Sequence, residues 1–222
     1  PVVAGETVCV GGWDERVYGL SATDGSVEWS VGTDGPVLGS PVLGDGIAYV
    51  PGDGVVYALS AADGSQEWKH ETAADGQTAL AAADGTVYVG TPGSGVLALS
   101  AADGTEEWAV GTPVGTYSAL AVAGETVYAG VDDGKVAALS AADGAEEWTT
   151  PTEQWYLSPP VVADGTVYVG SRDGSVYAVT ADTGDLEWSF ATSNNIEAAA
   201  PVVAGGRVYV GSQDGTFYAL GE

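Results

Sequence analysis

The sequence predicts an all-β protein, a β-propeller built from four-stranded antiparallel blades, and three observations lead to that prediction. One motif recurs almost six times, with copies that begin near Pro1, Pro41, Leu80, Leu120, Pro160 and Pro201. A tryptophan recurs in phase every 39 or 40 residues, at Trp29, Trp68, Trp108, Trp148 and Trp188. Each copy also divides into four short apolar runs separated by turn residues. Such a copy cannot bury its apolar faces alone, so a period of this length predicts stacked sheets.

The copy at residues 157–190 shows how each predicted strand is bounded. Strands are expected at residues 160–163, 166–170, 175–180 and 186–190, with turns that contain Asp and Gly between them. Asp-Gly between apolar runs is a strong hairpin signal, because glycine accepts a positive φ and aspartate tolerates it. No apolar run with helical spacing survives the recurring glycines, which excludes long helices.

The middle strands and the recurring tryptophans are expected to form the core. Blade sheets are covered on both faces by their neighbours, and the second strands are accordingly almost wholly apolar. Cys9 stands where other copies have tyrosine, so we interpret it as a small core residue rather than a reactive thiol. Burying one tryptophan ring removes roughly 150–250 Å² from water. The predicted structural inter-blade residues are Trp29, Trp68, Trp108, Trp148 and Trp188.

We expect a single propeller domain over residues 1–222, with six blades of which the last is incomplete. The copy that begins at Pro201 has three predicted strands and no fourth. A ring of seven or eight blades in a longer parent protein is the alternative. A third strand without its neighbour exposes unpaired main-chain groups. We therefore predict that a protein partner binds at this edge, or that the chain self-associates through the incomplete last blade.

The excess of acidic residues restricts the environment that suits the protein and the classes of molecule that can bind it. The chain has 31 acidic and five basic residues, for a net charge of −26, although 45% of its residues are hydrophobic. This composition predicts an acidic, solvated shell around an ordinary core. Such a shell suits concentrated salt, where the Debye length is about 3 Å at 1 M, and a halophilic archaeon is the expected source. Nucleic acid and anionic membranes are excluded as direct partners, because nothing basic could neutralise their phosphates.

The consensus of the copies resembles the pyrroloquinoline-quinone-type (PQQ-like) propeller repeat with its tryptophan-docking motif. The copy that carries the resemblance best reads Val167-Tyr168-Val169-Gly170-Ser171, Asp173-Gly174, Val176-Tyr177-Ala178-Val179, Ala181-Asp182, Gly184 and Trp188. The resemblance covers the whole chain and implies the fold. It leaves the function open, since the family includes quinone-dependent alcohol dehydrogenases, the lipoprotein propeller that helps assemble outer-membrane barrels, and sensor or cell-surface domains.

The residues of this chain argue against the enzymatic branch of that family. The dehydrogenases use an eight-bladed ring, a calcium held by carboxylate and amide side chains, a catalytic aspartate and usually an adjacent cysteine pair. This chain has one cysteine, and its only asparagines are Asn194 and Asn195. Its aspartates recur in hairpin turns, which indicates turn chemistry. We therefore expect no enzyme activity and no cofactor, with loose binding of monovalent cations or calcium by turn carboxylates left open.

Residues that depart from the repeat consensus are the best candidates for a functional role. The segment from Trp13 to Arg16 replaces a plain Asp-Gly turn, and the other departures fall in loops between blades. Both kinds of loop open on the same face of a propeller, so we predict a recognition rim there. Ordinary loop packing over the central channel is the alternative. The candidate rim residues are Trp13, Arg16, Tyr117, Trp155, Tyr156, Asn194 and Asn195.

The expected function is that of a non-catalytic binding or scaffold propeller. The expected location is extracellular or at the cell surface of a high-salt organism, with the cytoplasm left open. A structural subunit of a homo-oligomer or an extracellular fibre is the second hypothesis. A degenerate quinone-dependent dehydrogenase is the third.

The acidic shell generates a prediction about salt. Lowering KCl from about 1 M to about 0.1 M lengthens the Debye length from about 3 Å to about 10 Å. Repulsion among the turn carboxylates should then lower the melting temperature, which thermal unfolding followed by circular dichroism measures. A melting temperature that stays constant over this range would contradict an adaptation to brine.

Overall fold

The computed structural model describes residues 1–72, 78–91, 94–111, 120–131, 134–153, 157–196 and 200–221, all of them in strands, turns or loops. The chain divides into two compact units, Pro1–Gly111 and Thr112–Glu222. Within the described residues, the search for a helix of sufficient length and hydrophobicity to span a membrane found none. The candidate residues Tyr117, Trp155 and Tyr156 lie outside the described residues.

The first unit contains three antiparallel sheets, and each is a meander in which every strand pairs with the one before it. Sheet 1 consists of β1 (Val2–Ala4), β2 (Thr7–Gly12), β3 (Arg16–Ser21) and β4 (Val27–Gly32). Sheet 2 consists of β5 (Val42–Gly44), β6 (Ile47–Pro51), β7 (Val55–Ser60) and β8 (Gln66–Glu71). Sheet 3 consists of β9 (Ala79–Ala83), β10 (Thr86–Thr91), β11 (Gly95–Ser100) and β12 (Glu106–Val110).

The second unit repeats this arrangement, and its last sheet has three strands within the described residues. Sheet 4 consists of β13 (Leu120–Ala123), β14 (Thr126–Val131), β15 (Lys135–Ser140) and β16 (Glu146–Pro151). Sheet 5 consists of β17 (Val161–Ala163), β18 (Thr166–Gly170), β19 (Ser175–Thr180) and β20 (Leu186–Ala191). Sheet 6 consists of β21 (Val202–Ala204), β22 (Arg207–Gly211) and β23 (Phe217–Leu220). In each unit the first strands of successive sheets lie side by side.

Asp-Gly turns join the first and second strands of sheets 2, 3 and 5. Asp45 has φ 49° and Gly46 has φ 79°, and the matching turns of sheets 3 and 5 repeat these values within about 1°. Positive φ at both central residues is the type I′ geometry, whose twist matches that of the flanking strands. These turns confirm the Asp-Gly hairpins predicted from the sequence.

The middle strands are buried on both faces, as the apolar pattern predicts. In sheet 2, Leu59 and Tyr57 pack in one cluster with Cys9 of sheet 1. On the opposite face, Val56 packs with Val87 of sheet 3. Cys9 is fully buried, which confirms its interpretation as a core residue, and burial raises the pKa of its thiol.

Three tryptophans of fourth strands dock on the next sheet of the same unit through the indole N–H. Trp29 Nε1 donates to the carbonyl oxygen of Ala61 at 3.1 Å, and Trp68 Nε1 donates to that of Ala101 at 3.0 Å. Trp148 makes the same bond to Ala181 in the second unit, at 2.8 Å.

The glycine of the docking motif makes room for the indole ring. A Cβ added to Gly104 would lie 2.6 Å from Cε3 of Trp68, closer than real Cβ contacts, and Gly104 also has φ +72°. Gly64 and Gly184 stand in the same relation to Trp29 and Trp148. The recurring Ala-x-x-Gly thus supplies a hydrogen-bond acceptor and a side-chain-free surface for the tryptophan of the preceding sheet.

Sheet 1 accommodates its tryptophan differently from the other complete sheets. In those sheets the tryptophan packs on a tyrosine of the second strand, as Trp68 does on Tyr49 with ring centroids 5.7 Å apart. Sheet 1 has Cys9 at the tyrosine position and Gly19 where the others have alanine. A Cβ on Gly19 would lie only 2.1 Å from Trp29 Cε2. The two small residues therefore let Trp29 settle against the strand.

Tyrosines of the third strands brace the hairpins that precede them. Tyr177 donates to Asp173 at 2.7 Å, and Tyr218 donates to Asp214 at the same distance. Burial, reinforced by the bond to Asp173, raises the pKa of Tyr177 to about 12. Tyr57 differs, because its hydroxyl donates to Asp34 in the loop after β4, at 3.0 Å.

The docked tryptophans generate a prediction about stability. Trp68 is 8% exposed, and Trp68→Ala should cost about 3–5 kcal/mol of unfolding free energy, because it leaves a cavity and removes the hydrogen bond from the indole to the Ala101 carbonyl. Trp13→Ala is the matched control, because Trp13 is 79% exposed, and it should cost less than about 1 kcal/mol. Urea unfolding in molar KCl measures both. Equal losses at the two positions would contradict the docking role.

The braced hairpin of sheet 6 generates a prediction about pH. The hydrogen bond from Tyr218 is the main cause that lowers the pKa of Asp214 from 3.8 to about 2. A depressed pKa stabilises the fold at pH values above the ordinary pKa, and this contribution is lost as the pH falls through about 2. In Tyr218→Phe the pKa of Asp214 should rise toward its ordinary value, so the loss should begin at higher pH.

Carbon-13 NMR titration of the Asp214 carboxyl measures this shift. Asp24 is the internal control, because Ser26 rather than a tyrosine is the main cause that lowers its pKa. A titration midpoint of Asp214 that is the same in both proteins would rule out the tyrosine as the cause.

Candidate recognition surfaces

The hairpin between β2 and β3 displays Trp13 on a braced turn. Asp14 accepts a hydrogen bond from Tyr18 at 2.5 Å, which holds the turn on its own strand. Glu15 has φ 61°, a left-handed conformation that reverses the chain without a glycine. Trp13 is left 79% exposed, more than any other large hydrophobic side chain of the described residues.

The loop that follows β4 runs along this hairpin and holds it a second time. Thr33 N donates to the Glu15 carbonyl at 2.9 Å, and Val37 N donates to the Gly12 carbonyl at 3.0 Å. Val37 is 3% exposed and fills the space above Gly11. In sheet 1, therefore, the hairpin between its second and third strands and the loop to the next sheet lie at the same end.

Arg16 lies at the start of β3, and its guanidinium is fixed to the fourth strand of the sheet. One terminal nitrogen donates to Ser30 Oγ at 2.7 Å. The side chain is half-buried. The other N–H groups of the Arg16 guanidinium can donate hydrogen bonds beside the turn that carries Trp13.

An ion pair in the same unit was not anticipated from the sequence. Lys69 Nζ lies 3.0 Å from Asp34 Oδ2, and Tyr57 donates to the same oxygen. These bonds lower the pKa of Asp34, with the bond from Lys69 as the largest cause. Both charged side chains are well exposed, so the pair contributes little to stability. Lys69 and Asp34 are 35 residues apart, and no local pattern connects them.

Asn194 and Asn195 lie in the loop from sheet 5 to sheet 6, and main-chain bonds hold that loop. The Asn194 carbonyl accepts from Thr192 Oγ1 at 2.7 Å and from Ser212 Oγ at 3.0 Å. The Asn195 carbonyl accepts from Gln213 N at 2.9 Å. Asn194 Oδ1 accepts from Asn195 N at 2.9 Å, so one side-chain amide of the pair helps to shape the loop itself.

The predicted rim residues fall into two described groups. Trp13 and Arg16 share one hairpin of the first unit, whereas Asn194 and Asn195 share one loop of the second unit. The positions of Tyr117, Trp155 and Tyr156 are outside the described residues. A common rim for all seven residues stays a prediction.

Sheet 6 carries exposed aromatic side chains that sequence reasoning missed. Phe217 is 71% exposed, although the equivalent residue of the other copies is a valine that is 0–2% exposed, as in Val176. Phe217 stacks on Tyr209 with ring centroids 6.1 Å apart. Phe190 of β20 meets Tyr218 edge-on at 5.6 Å. One signal was available, since both phenylalanines of the chain fall in the last two copies.

A groove of about 670 Å³ lies between sheet 5 and sheet 6. Its lining includes Trp188 and Phe190 of sheet 5 and Val208, Ala219 and Leu220 of sheet 6. The groove is mostly apolar and shallow, and it follows the edge of β23.

Several aspartates of the described residues are turn residues whose carboxylates accept hydrogen bonds from their own turns. No group of three or more His, Cys, Asp or Glu is placed to hold a metal ion in the part of the chain that the structure describes. Hydrogen bonds from Ser65 lower the pKa of Asp63, and bonds from Thr105 lower that of Asp103. These aspartates are held ionised by their own turns.

Comparisons with known proteins identify the family and the fold. The family profile described as outer membrane protein assembly factor BamB, of the PQQ-like repeats, matches residues 1–114 and 102–221. The computationally designed Ika8 protein has a TM-score of 0.72 at 16% identity, over 100% of this chain and 82% of its own. BamB from Moraxella catarrhalis has a TM-score of 0.71 at 20% identity, over 98% of this chain and 83% of its own. No curated protein sequence matches significantly.

These likenesses confirm the predicted fold class, an all-β propeller of four-stranded antiparallel blades. The two matched stretches of the family profile together cover nearly the whole chain. The chain therefore belongs to the PQQ-like β-propeller family of the outer membrane protein assembly factor BamB.

Proposed function

We propose that the chain is a non-catalytic binding module, a scaffold that holds a protein partner on its loops. The observation that carries this proposal is the exposed indole of Trp13, 79% accessible on a turn where the other copies have no aromatic residue. Membership of a family described as an assembly factor supports it.

The physical argument rests on the rigidity of the hairpin. Two main-chain bonds from the following loop and the bond between Tyr18 and Asp14 fix the turn before any partner arrives. A large aromatic side chain on a fixed turn loses little conformational freedom on binding. Tryptophan and arginine are also enriched among the residues that dominate binding energy. Trp13 with Arg16 is therefore the surface most suited to a partner.

The residues of the chain do not fit a calcium-bound quinone. The single cysteine, Cys9, is fully buried in the core, so no cysteine pair can cover a cofactor. Asn194 Oδ1 is already used within its loop. The aspartates with lowered pKa are turn residues bonded to neighbouring serines and threonines. We propose that no redox cofactor binds and that the chain is not an enzyme, which leaves a degenerate dehydrogenase as the weakest hypothesis.

The proposed partner is a protein, and the proposed setting is the exterior or surface of a high-salt organism, with the cytoplasm left open. The net charge of −26 disfavours nucleic acid and anionic membranes. A structural subunit of an oligomer or fibre is the second candidate. It is favoured by apolar side chains of sheet 6 that are more than half exposed, with Phe217 at 71% and Val202 at 59%.

The Trp13 surface generates a prediction about capture of a partner. Trp13→Ala should weaken retention of a protein from an extract of the source organism in molar KCl by about 30-fold, as loss of a 2 kcal/mol contact does. Val27→Ala is the matched control, because Val27 is also exposed, at 59%, on the same sheet. Equal retention by both variants would remove Trp13 from the binding surface.

The side chains that could act as cofactor ligands generate a prediction about cofactor binding. Titration of the chain with pyrroloquinoline quinone and calcium should give no new absorbance band, and alcohols should reduce no dye, because no ligand cluster is assembled among the described residues. A stoichiometric complex with the quinone would overturn the non-catalytic assignment.

A further inference from the structure

A tyrosine that joins neighbouring sheets elsewhere in the chain is replaced by a cysteine in sheet 1. The second strands of sheets 2 and 4 carry Tyr49 and Tyr128, and Cys9 stands at the same position of sheet 1. The Tyr49 hydroxyl donates to the Ala101 carbonyl of sheet 3 at 3.4 Å. Tyr128 makes the same bond to Ala181 of sheet 5 at 3.3 Å. The short side chain of Cys9 has neither a ring nor a hydroxyl to supply this contact between sheets 1 and 2.

A wide groove lies between sheets 1 and 2, at the position where the tyrosine is missing. Its volume is about 690 Å³, and its lining includes Ala4, Leu43 and Ala61. The pocket at the same position between sheets 2 and 3 measures only about 120 Å³, and Tyr49 is part of its lining. Sheets 1 and 2 each have all four strands, so both walls of the groove are complete. Cys9 is fully buried, and the groove therefore lies outside its side chain.

The carbonyl oxygen of Ala61, which lines this groove, has room for a second hydrogen bond. Trp29 Nε1 donates to it at 3.1 Å, and no other donor among the described residues bonds to it. The matching carbonyl of Ala101 accepts from both Trp68 and Tyr49. A carbonyl oxygen has two lone pairs, so Ala61 can accept from a hydroxyl group in the groove in the same way.

The apolar walls of the groove resemble those that already hold a tyrosine in the second unit. Ala123 and Val162 pack against the cluster that contains Tyr128. Ala4 and Leu43 stand at the corresponding positions of sheets 1 and 2. An alanine on one sheet and a branched aliphatic residue on the next are therefore compatible with an aromatic ring between them.

We propose that the groove between sheets 1 and 2 binds a tyrosine side chain of a partner protein. The ring lies over Cys9 between Leu43 and Ala61, and its hydroxyl donates to the Ala61 carbonyl. Sites of about 300–1,000 Å³ accommodate ligands much larger than one ring, so the groove also has room for the main chain beside the tyrosine. This inference rests on the proposed role as a binding module and names the chemistry of one contact.

The experiment is an NMR titration of the full, nitrogen-15-labelled chain with N-acetyl-tyrosine amide in molar KCl. The amide signals of Leu43 and Ala61 should shift in a saturable manner. The Ala101 amide is the internal control and should change little, because Tyr49 already occupies its pocket. N-acetyl-phenylalanine amide, which lacks the hydroxyl, should bind about fivefold more weakly. Absence of a saturable shift, or equal affinity for the two amides, would overturn the proposal.

A pair of matched variants tests whether the groove is the site. Ala62 lines the groove and is exposed, so Ala62→Leu should narrow the groove without disturbing the core. It should weaken binding at least about tenfold. Ala102→Leu is the control, because Ala102 occupies the same position of the next copy, and it should bind like the unchanged chain. Equal affinities of the two variants would place the ligand elsewhere.

Replacing Cys9 by tyrosine supplies the ring from the chain itself. Cys9→Tyr should therefore lose binding of N-acetyl-tyrosine amide, while circular dichroism shows whether the variant is folded. A folded variant with unchanged affinity would contradict the proposal. If the larger side chain prevents folding, the comparison of Ala62→Leu with Ala102→Leu decides.

Two further measurements separate the proposed occupant from the alternatives. 4-Methylphenol carries the same ring without a main chain and should bind at least about fivefold more weakly than N-acetyl-tyrosine amide. Equal affinity would make a free phenol the ligand and would overturn the proposed partner. Trp13→Ala protein should bind N-acetyl-tyrosine amide normally, because Trp13 lies in the hairpin between β2 and β3 and the groove borders the turn between β1 and β2. Failure of the groove and failure of the Trp13 surface are therefore independent results.

Discussion

The docking of a fourth-strand tryptophan on the next sheet, made by Trp29, Trp68 and Trp148, is the interaction on which the rest of this structure depends. The indole N–H binds an alanine carbonyl, and the indole face covers a glycine with positive φ, as Trp68 does with Ala101 and Gly104. A single residue thereby joins two sheets by a hydrogen bond and by apolar burial. Because the acceptor and the glycine both belong to the same tight turn of the next copy, the hydrogen bond and the ring contact form together.

The first and last sheets show what happens where this arrangement is altered. In sheet 1, Cys9 and Gly19 replace larger residues, and Trp29 settles against Gly19 of the neighbouring strand β3. In sheet 6, Tyr209 and Ala219 retain the receiving surface, while Phe217 replaces a buried valine and is 71% exposed. Sheet 1 adapts its own packing, whereas sheet 6 exposes a phenylalanine where the other copies bury a valine.

In a scaffold this regular, the residues that depart from the repeat are the candidates for a functional role. The two described departures have different roles. Trp13 is displayed outward by a hairpin whose other side chains hold it in place. Asn194 and Asn195 are engaged mainly through carbonyls that tie one loop to its neighbours. Polar residues in a variable loop thus stabilise the scaffold, while the exposed aromatic residue is available to a partner.

The sequence by itself determined the all-β class, the strand boundaries, the Asp-Gly turns and the burial of Cys9, because these follow from local propensity and from a period repeated six times. Trp13 was recognisable as a departure from that period. The tertiary structure alone decided that Phe217 is exposed, that Asp34 pairs with Lys69, and that the Asn194 carbonyl accepts two hydroxyl groups. Each of these depends on which distant segment lies beside the residue, and a repeat pattern describes the average copy rather than the neighbours of one particular copy.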